Sequence, residues 1–344
     1  MGDRTICSVE PERPTSEQDP REKGNEPRSN AIINRQGYHD QGMQLTFLGT
    51  GGGMPSPDRG VSAIALQLGK EVLLFDCGEG TQRQFMLSSV SFMKVAHIFI
   101  SHFHGDHFLG LPGLIQSMNF SGREADLYVY GPEGMVDLTK TVLSLGYFRP
   151  SFKIYAGELN DGDQLDLGGY TVTALAGDHS VPALSFVVEE KPRQGRFLVD
   201  RAKELGITPG PMFSQLQSGK AVTIGDRVIE PAMVLGPPRP GRKVVISGDT
   251  RPTARLTGAA KGADVLVHEA TMDSSLQEGA RDYGHSTAKE AAEVAKEADA
   301  DLLVLTHISN RYEDTSILEN EAKAIFPNTV TAVDMMVVPV KLKE

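Results

Sequence analysis

The sequence predicts an α/β fold in which helices cover β-sheets. Two observations predict it: short apolar runs recur from Gln44 onward, many of them ending at Gly, Asp or His, and helical patterns fall between some of them. Strands that alternate with helices form sheets that the helices cover. A chain of 344 residues, 40% of them apolar, is long enough to fill a sizeable core.

The predicted strands follow one another along the whole chain after residue 43. In chain order they are QLTFLG, SAIALQL, EVLLFDCG, AHIFISH, LYVYG, YTVTALAG, ALSFVVEE, KVVISGDT, DVLVHEA and DLLVLTH. The clearest helix runs from Ser286 to Ala298, where Thr287 and Glu290 have the spacing of an N-terminal capping box.

Residues 1–42 differ in composition from the rest of the chain. Their apolar residues are too scattered to bury a face, so we expect a disordered N-terminal extension followed by one domain over residues 43–344. No apolar run approaches the roughly 18 residues of a membrane span, and the N-terminus lacks the hydrophobic stretch of a signal peptide. We therefore expect a cytoplasmic protein without a membrane partner.

Cysteine content and charge restrict the chemistry. Only Cys7 and Cys77 are present, which excludes a disulfide framework and a thiolate zinc site, so His and carboxylates must hold any transition metal. The formal net charge of -11 argues against a protein that coats nucleic acid through bulk charge, because that mode needs many Lys and Arg residues. A local basic patch remains compatible with RNA binding.

The strongest motif is SHFHGDH, Ser101 to His107, directly after the predicted strand AHIFI. Its three imidazoles and one carboxylate supply most of a zinc site, because zinc prefers His nitrogen and carboxylate oxygen at about 2 Å. Manganese or iron could occupy a site of the same composition. Three later residues, His179, Asp249 and His307, each follow a predicted strand.

This cluster and the order of the later residues resemble the metallo-β-lactamase superfamily. The resemblance implies a four-layer αββα sandwich and two zinc ions per subunit. The implied ligands are His102, His104 and His179 for one zinc, Asp106, His107 and His307 for the other, and Asp249 as the bridge. Asp76 in LLFDCGEG resembles the superfamily's first motif, whose carboxylate orients the metal histidines. Without the resemblance, an Asp that opens a Gly-rich turn is equally plausible.

Accessory motifs narrow the resemblance to one family. LGTGGGMPSPDRG, DCGEGTQRQ, SHFHGDHFLGLPGL, HEAT at His268 to Thr271 and GHST at Gly284 to Thr287 are similar to segments of ribonuclease Z, and the similarity extends from about Gln44 to the end. It implies an endoribonuclease that removes 3′ trailers from precursor tRNA. It also implies that His285, paired with Glu269, protonates the departing ribose oxygen. We further hypothesise that Asp106 accepts the proton of the attacking water.

Residues 189–225 resemble the family's inserted tRNA-binding arm. They carry six Lys and Arg residues against four acidic ones, a local reversal of the chain's charge. The expected RNA contacts are Lys191, Arg193, Arg196, Arg201, Lys203, Pro209, Gly210 and Pro211. Without the zinc motifs, the same segment reads as a solvated surface loop. The resemblance further implies a homodimer, in which the arm of one subunit can serve the active site of the other.

Two other functions remain open. A small-molecule phosphodiesterase or an arylsulfatase-like hydrolase would use the same zinc pair without needing a basic arm. A non-catalytic RNA-binding member would keep the arm but lose ligands or the acid, and the complete set in this chain argues against it.

Overall fold

The computed structural model describes residues 7–9 and 42–343. Its strands are β1 (Cys7–Ser8), β2 (Met43–Gly49), β3 (Gly51–Gly52), β4 (Ala63–Leu68), β5 (Glu71–Phe75), β6 (Val95–Phe99), β7 (Leu127–Gly131), β8 (Ile154–Glu158), β9 (Gln164–Asp166), β10 (Tyr170–Ala176), β11 (Leu184–Glu190), β12 (Val222–Ile224), β13 (Arg227–Ile229), β14 (Lys243–Ile246), β15 (Val265–Glu269), β16 (Leu303–Thr306), β17 (Ile308–Ser309), β18 (Thr329–Thr331) and β19 (Val337–Val340). Its helices are α1 (Thr81–Leu87), α2 (Gly105–Phe108), α3 (Leu111–Phe120), α4 (Met135–Ser144), α5 (Val199–Glu204), α6 (Pro211–Gln217), α7 (Ala254–Ala259), α8 (Gln277–Tyr283), α9 (Ala288–Glu297) and α10 (Ser316–Lys323).

Two large sheets carry the fold. Their strand orders are β1-β8-β7-β6-β5-β4-β2-β19 and β18-β16-β15-β14-β11-β10-β9. Strands β5 to β8 run parallel in the first sheet, and β14, β15, β16 and β18 run parallel in the second. Because parallel strands end at the same edge, the loops after them gather polar side chains from distant parts of the sequence.

The two sheets pack face to face and helices cover their outer faces. Aromatic residues fill the space between the sheets: the Phe75 ring lies 5.2 Å from that of Phe99 in the first sheet and 5.5 Å from that of Phe186 in the second. Helices α1, α3 and α4 pack on the first sheet, and α7, α9 and α10 on the second. The expected four-layer αββα sandwich is therefore confirmed.

Each strand expected from the sequence is present. The expected runs that end in Asp or His extend past the observed strands, because those polar residues lie in the following loops. The expected helix is α9, and its capping box is formed: the Thr287 side chain accepts a hydrogen bond from the Glu290 amide, and Glu290 accepts one from the Thr287 amide.

The expected disorder of residues 1–42 is wrong for residues 7–9. Cys7 and Ser8 pair antiparallel with β8, and Val9 is buried in the core. An exposed sheet edge offers unpaired backbone groups, so even a short apolar segment can add a strand to it. Apart from Gly42, the other residues of the expected extension lie outside the described part of the chain. Among the described residues, no helix has the length and apolar character that a membrane crossing requires.

A second compact unit is formed by Glu189–Arg242. It contains α5, α6 and the hairpin β12–β13, and it has a small core of its own made of Ala202, Ile207, Leu216, Val222, Ile229 and Val234. Glu190 and Arg242, near its two ends, form an ion pair at 2.6 Å. The unit begins where the sequence places the arm and continues beyond Gly225.

Candidate metal centre

Every expected metal ligand lies in a loop or short helix that follows a strand. His102 and His104 come after β6, Asp106 and His107 lie in α2, His179 follows β10, Asp249 follows β14, and His307 lies between β16 and β17. The structure thus brings together side chains that are far apart in the sequence, such as Asp106 and His307, which are separated by 201 residues.

The side chains form two groups of three. In one group, His104 Nδ1 lies 3.0 Å from His102 Nε2 and 3.3 Å from His179 Nε2. In the other group, His307 Nε2 lies 3.3 Å from both His107 Nε2 and Asp106 Oδ2. All ligand atoms within each group lie within 4.8 Å of one another.

Asp249 lies between the two groups. Its Oδ2 atom is 3.7 Å from His102 Nε2, 3.4 Å from His107 Nε2 and 3.3 Å from His307 Nε2. The side chain is buried, with 3% of its surface exposed. A single carboxylate oxygen therefore lies close to histidine nitrogens of both groups.

The donor set fits metal ions. Two ligands of a tetrahedral zinc ion with bonds of roughly 2.0–2.1 Å lie about 3.3 Å apart, close to the separations within each group. Burial and the nearby imidazoles lower the pKa of His102 to about 2, so its ring is neutral. Burial raises the pKa of Asp249, but His307 and His107 outweigh it and hold that pKa well below the usual value. Neutral imidazole and ionised carboxylate are the forms that bind metal.

The electrostatics around His107 also favour a bound cation. Burial lowers its pKa, but the charges of Asp249 and Asp76 and the hydrogen bond with Asp106 raise it well above the usual value. The surrounding carboxylates therefore stabilise positive charge at this position, which either a proton or a metal ion can supply.

Outer hydrogen bonds orient the metal-facing histidines. His107 Nδ1 donates to Asp76 Oδ2 at 2.7 Å. Asp76 therefore lies where the motif LLFDCGEG led us to expect a carboxylate that orients a metal-facing histidine. His179 Nδ1 donates to the Gly284 carbonyl at 2.8 Å. Sequence reasoning missed Ser101 and Thr271, whose hydroxyls lie 3.0 Å from His102 Nδ1 and 2.9 Å from His307 Nδ1. Such partners fix which ring nitrogen faces the metal.

The expected acid pair lies beside this centre. His285 Nδ1 is 3.0 Å from Glu269 Oε1 and 3.8 Å from Asp249 Oδ2. Burial lowers the pKa of His285, but the charge and hydrogen bond of Glu269 and the charge of Asp249 outweigh it and raise the pKa to about 9. The contact with Glu269 therefore favours the protonated form of the His285 imidazole.

A cavity of about 420 Å³ gives access to the centre. Its lining includes His104, Asp106, Asp249, Tyr283, His285 and His307. Both proton-transfer candidates, Asp106 and His285, therefore reach the same space as the metal ligands.

The glycine run near the start of the domain shapes the cavity. A Cβ atom on Gly52 would lie 2.5 to 2.9 Å from atoms of the His307 ring, so a side chain there would displace this ligand. The next residue, Gly53, donates its amide hydrogen to Asp106 Oδ2 at 2.7 Å. The motif LGTGGGM thus lets the backbone approach the metal centre closely.

Comparison with known proteins identifies the family. A beta-lactamase superfamily domain model matches residues 216–308, and the model of anti-Pycsar protein Apyc1 matches residues 43–155. Ribonuclease Z of Methanosarcina acetivorans is 46% identical over 295 residues, which is 86% of this chain and 97% of that protein. Ribonuclease Z of Methanothermobacter thermautotrophicus is 48% identical over 87% of this chain and 97% of its own length.

This chain belongs to the ribonuclease Z family. A solved structure supports the assignment: the short form of human tRNase Z superposes with a TM-score of 0.65 at 30% identity and covers 87% of this chain and 100% of its own. YhfI from Bacillus subtilis, at 22% identity and a TM-score of 0.63, shares the metallo-β-lactamase fold. The expected resemblance to ribonuclease Z is thereby confirmed.

The expected RNA contacts of this ribonuclease Z family member all lie in the second compact unit. Arg193 is half-buried, and its guanidinium donates to the carbonyls of Pro240 and Lys343, so it stabilises the unit itself. Arg201 and Lys203 pair with Glu204 and Asp200 on α5. Pro211 begins α6. The remaining members of the set are exposed: Lys191, Arg196, Pro209, Gly210 and Pro211.

Proposed function

We propose that this member of the ribonuclease Z family is a zinc-dependent endoribonuclease that removes 3′ trailers from precursor tRNA. The products are a tRNA that ends in a 3′-hydroxyl and a trailer that begins with a 5′-phosphate. One observation carries the proposal: His285 Nδ1 lies 3.0 Å from Glu269 Oε1 and 3.8 Å from Oδ2 of Asp249, the carboxylate that lies between the two groups of metal ligands. The site therefore combines a place for metal ions with an acid for the leaving group.

Two zinc ions fit the donor set. His102, His104 and His179 would hold one ion, Asp106, His107 and His307 the other, and Asp249 both. When bound, the ions lower the pKa of a water molecule and offset negative charge on the phosphoryl oxygens.

The protein's own groups move the protons. Burial raises the pKa of Asp106, but hydrogen bonds and charge from His107 and His307 outweigh it and hold that pKa below its usual range, so the carboxylate is ionised. An ionised carboxylate only accepts hydrogen bonds, so it can orient the attacking water and take its proton. A ribose 3′-oxygen leaves as a strongly basic alkoxide unless it is protonated. His285 supplies that proton, and Glu269 keeps the imidazole charged and oriented through their 3.0 Å contact.

We further propose that Glu189–Arg242 binds the tRNA away from the cleavage site. Lys191 and Arg196 are exposed in this unit and can contact phosphates. Replacing both with Ala should raise the KM for precursor tRNA and reduce its salt dependence, whereas Lys140→Ala on helix α4 should do neither. Deletion of the whole unit separates the alternatives, because a small-molecule diesterase would keep its activity without it.

We also propose a homodimer. Helix α1 exposes Met86 and Leu87, 60% and 58% accessible, and Phe120 at the end of the adjacent α3 is 90% accessible. Contiguous exposed apolar patches mark protein–protein contact surfaces, and we propose that these side chains form such a patch. A fully active monomer in sedimentation experiments would contradict this proposal. The proposed substrate agrees with the cytoplasmic location expected from the sequence.

The decisive experiment is cleavage of a precursor tRNA with a 3′ trailer, with and without a chelator, beside hydrolysis of a small chromogenic phosphodiester. We expect chelator-sensitive cleavage after the discriminator nucleotide that leaves a 3′-hydroxyl. Hydrolysis of the small diester alone would refute the RNA substrate while leaving the metal site intact.

A further inference from the structure

Glu269 makes more hydrogen bonds than an acid partner needs. Its Oε1 atom accepts from the Thr250 amide and from His285, each at 3.0 Å. Its Oε2 atom accepts from the Thr271 hydroxyl at 2.8 Å and from the Thr271 amide at 3.3 Å. Only 1% of the side chain is exposed. Oε1 therefore contacts the acid His285, and Oε2 contacts Thr271.

The contacts of Thr271 fix the direction of its hydroxyl. A carboxylate can only accept hydrogen bonds, so the single hydroxyl hydrogen of Thr271 points to Glu269. The same oxygen lies 2.9 Å from His307 Nδ1 and can then only accept from that ring. Nδ1 of His307 must carry the hydrogen, which leaves the lone pair on Nε2, the atom that lies 3.3 Å from Asp106 and Asp249.

We propose that Thr271 is a positioning residue that joins the acid pair to the metal centre, so that Glu269 orients the acid His285 and the ligand His307 at the same time. The proposal rests on the proposed function and extends it. Glu269 then has a second duty, and the HEAT motif contributes to metal binding as well as to proton transfer.

The group of His102, His104 and His179 contains a similar hydrogen-bonded link, in which Asp76 takes the place of Glu269 and Ser101 the place of Thr271. The Ser101 hydroxyl donates to Asp76 Oδ2 at 3.0 Å and lies 3.0 Å from His102 Nδ1. Asp76 also receives the hydrogen of His107 Nδ1 but has no contact with His285 among the described residues. A carboxylate and a hydroxyl therefore orient one histidine in each group. Among the described residues, the link through Thr271 is the one that reaches the acid His285.

The first test compares two variants of the full-length protein. Thr271→Val keeps the shape but removes the hydroxyl, and Thr271→Ser keeps the hydroxyl but removes the methyl group. Zinc affinity is measured by competition with a chromogenic chelator, and thermal unfolding of each variant checks the fold. We expect Thr271→Val to weaken one of two zinc sites about 10- to 100-fold and Thr271→Ser to stay close to the wild type. Wild-type affinity of Thr271→Val, or equal losses in both variants, would overturn the proposal.

A second pair of variants keeps the proposal testable if Thr271→Val does not fold. Glu269→Gln can turn its amide nitrogen toward Thr271, which frees the hydroxyl hydrogen to point at His307 Nδ1 and moves the ring hydrogen to Nε2. His285→Ala removes the acid and leaves the link through Thr271 intact. We expect weaker zinc binding in Glu269→Gln and unchanged zinc binding in His285→Ala.

The two proposals fail in different ways. If Glu269→Gln binds both zinc ions with wild-type affinity, Glu269 serves the acid alone and the link is refuted, although cleavage by the wild type still stands. If the wild type does not cut precursor tRNA, the proposed function fails, but the comparison of zinc affinities remains valid.

Discussion

Replacing His285 with Ala should remove the acid that protonates the leaving group. At pH 7 a group with a pKa of about 9 is roughly 99% protonated, so nearly every molecule of the wild type carries the acid. General acid catalysis contributes about 10²- to 10⁴-fold, or roughly 3 to 5 kcal/mol of transition-state stabilisation. We expect a loss of that size in single-turnover cleavage of precursor tRNA, with zinc content unchanged.

The pH dependence gives a second signature. The folded-state pKa of His285 is raised above its usual 6.5, so the imidazole keeps its proton at neutral pH and loses it as the pH rises through about 9. Cleavage by the wild type should therefore decline above pH 9. The same linkage means that this histidine stabilises the fold most at pH values below 6.5 and that the contribution disappears through pH 9. The His285→Ala variant should lack the alkaline decline in cleavage.

A change of leaving group separates an acid from a structural residue. A precursor with sulfur in place of the bridging 3′-oxygen expels a thiolate, which needs little protonation. The rate deficit of His285→Ala should shrink by at least tenfold on that substrate, while Tyr147→Ala, at a fully exposed tyrosine, should behave as the wild type on both. An equal deficit on the two substrates would refute the assignment of His285 as the acid.

Three further perturbations test the centre. Glu269→Gln at saturating zinc should move the alkaline decline to lower pH by about 1 to 3 units, because the charge that raises the pKa of His285 is removed; an unmoved pH profile would contradict this. Asp76→Asn removes the charge that orients His107 and should weaken metal binding about 10- to 100-fold by chelator competition, and unaltered affinity would disprove the orienting role. Removing metal with a chelator should lower the melting temperature, because ligand at 100 times its Kd stabilises the native state by about 2.7 kcal/mol; an unaltered melting temperature would mean that no metal is held.

Local patterns predicted the fold well, and they marked the side chains that the structure brings together in the candidate metal centre. The strand runs ended at polar residues, and parallel strands bring such ends together, so the grouping of His102 with Asp249 and His307 followed from strand order and the family resemblance. The capping box of α9 could be predicted because it depends only on Thr287 and Glu290, which are three residues apart. Information of this kind lies within short stretches of the sequence.

Long-range contacts could not be predicted in the same way. Nothing in the sequence indicates that Thr271 contacts His307 or that residues 7–9 pair with β8, because both depend on how distant segments meet. Composition and the family resemblance marked residues 189–225, whereas the second unit extends to Arg242. Its helices and the ion pair between Glu190 and Arg242 gave no local signal. Arg193 shows that charge alone does not identify an RNA contact, because its guanidinium donates to backbone carbonyls within the unit.

Backbone conformation shows why the site needs the whole fold. Asp76 and His307 are non-glycine residues with φ of 58° and 56°, in the left-handed region, where each residue costs on the order of 1–3 kcal/mol. Surrounding hydrogen bonds hold them there: the Asp76 amide donates to Phe99, and the amide after His307 donates to Thr50. The left-handed turn at each strand end allows Asp76 to contact His107 and allows His307 to face Asp249. Because Asn tolerates this conformation better than most residues, Asp76→Asn isolates the loss of charge from the loss of backbone geometry.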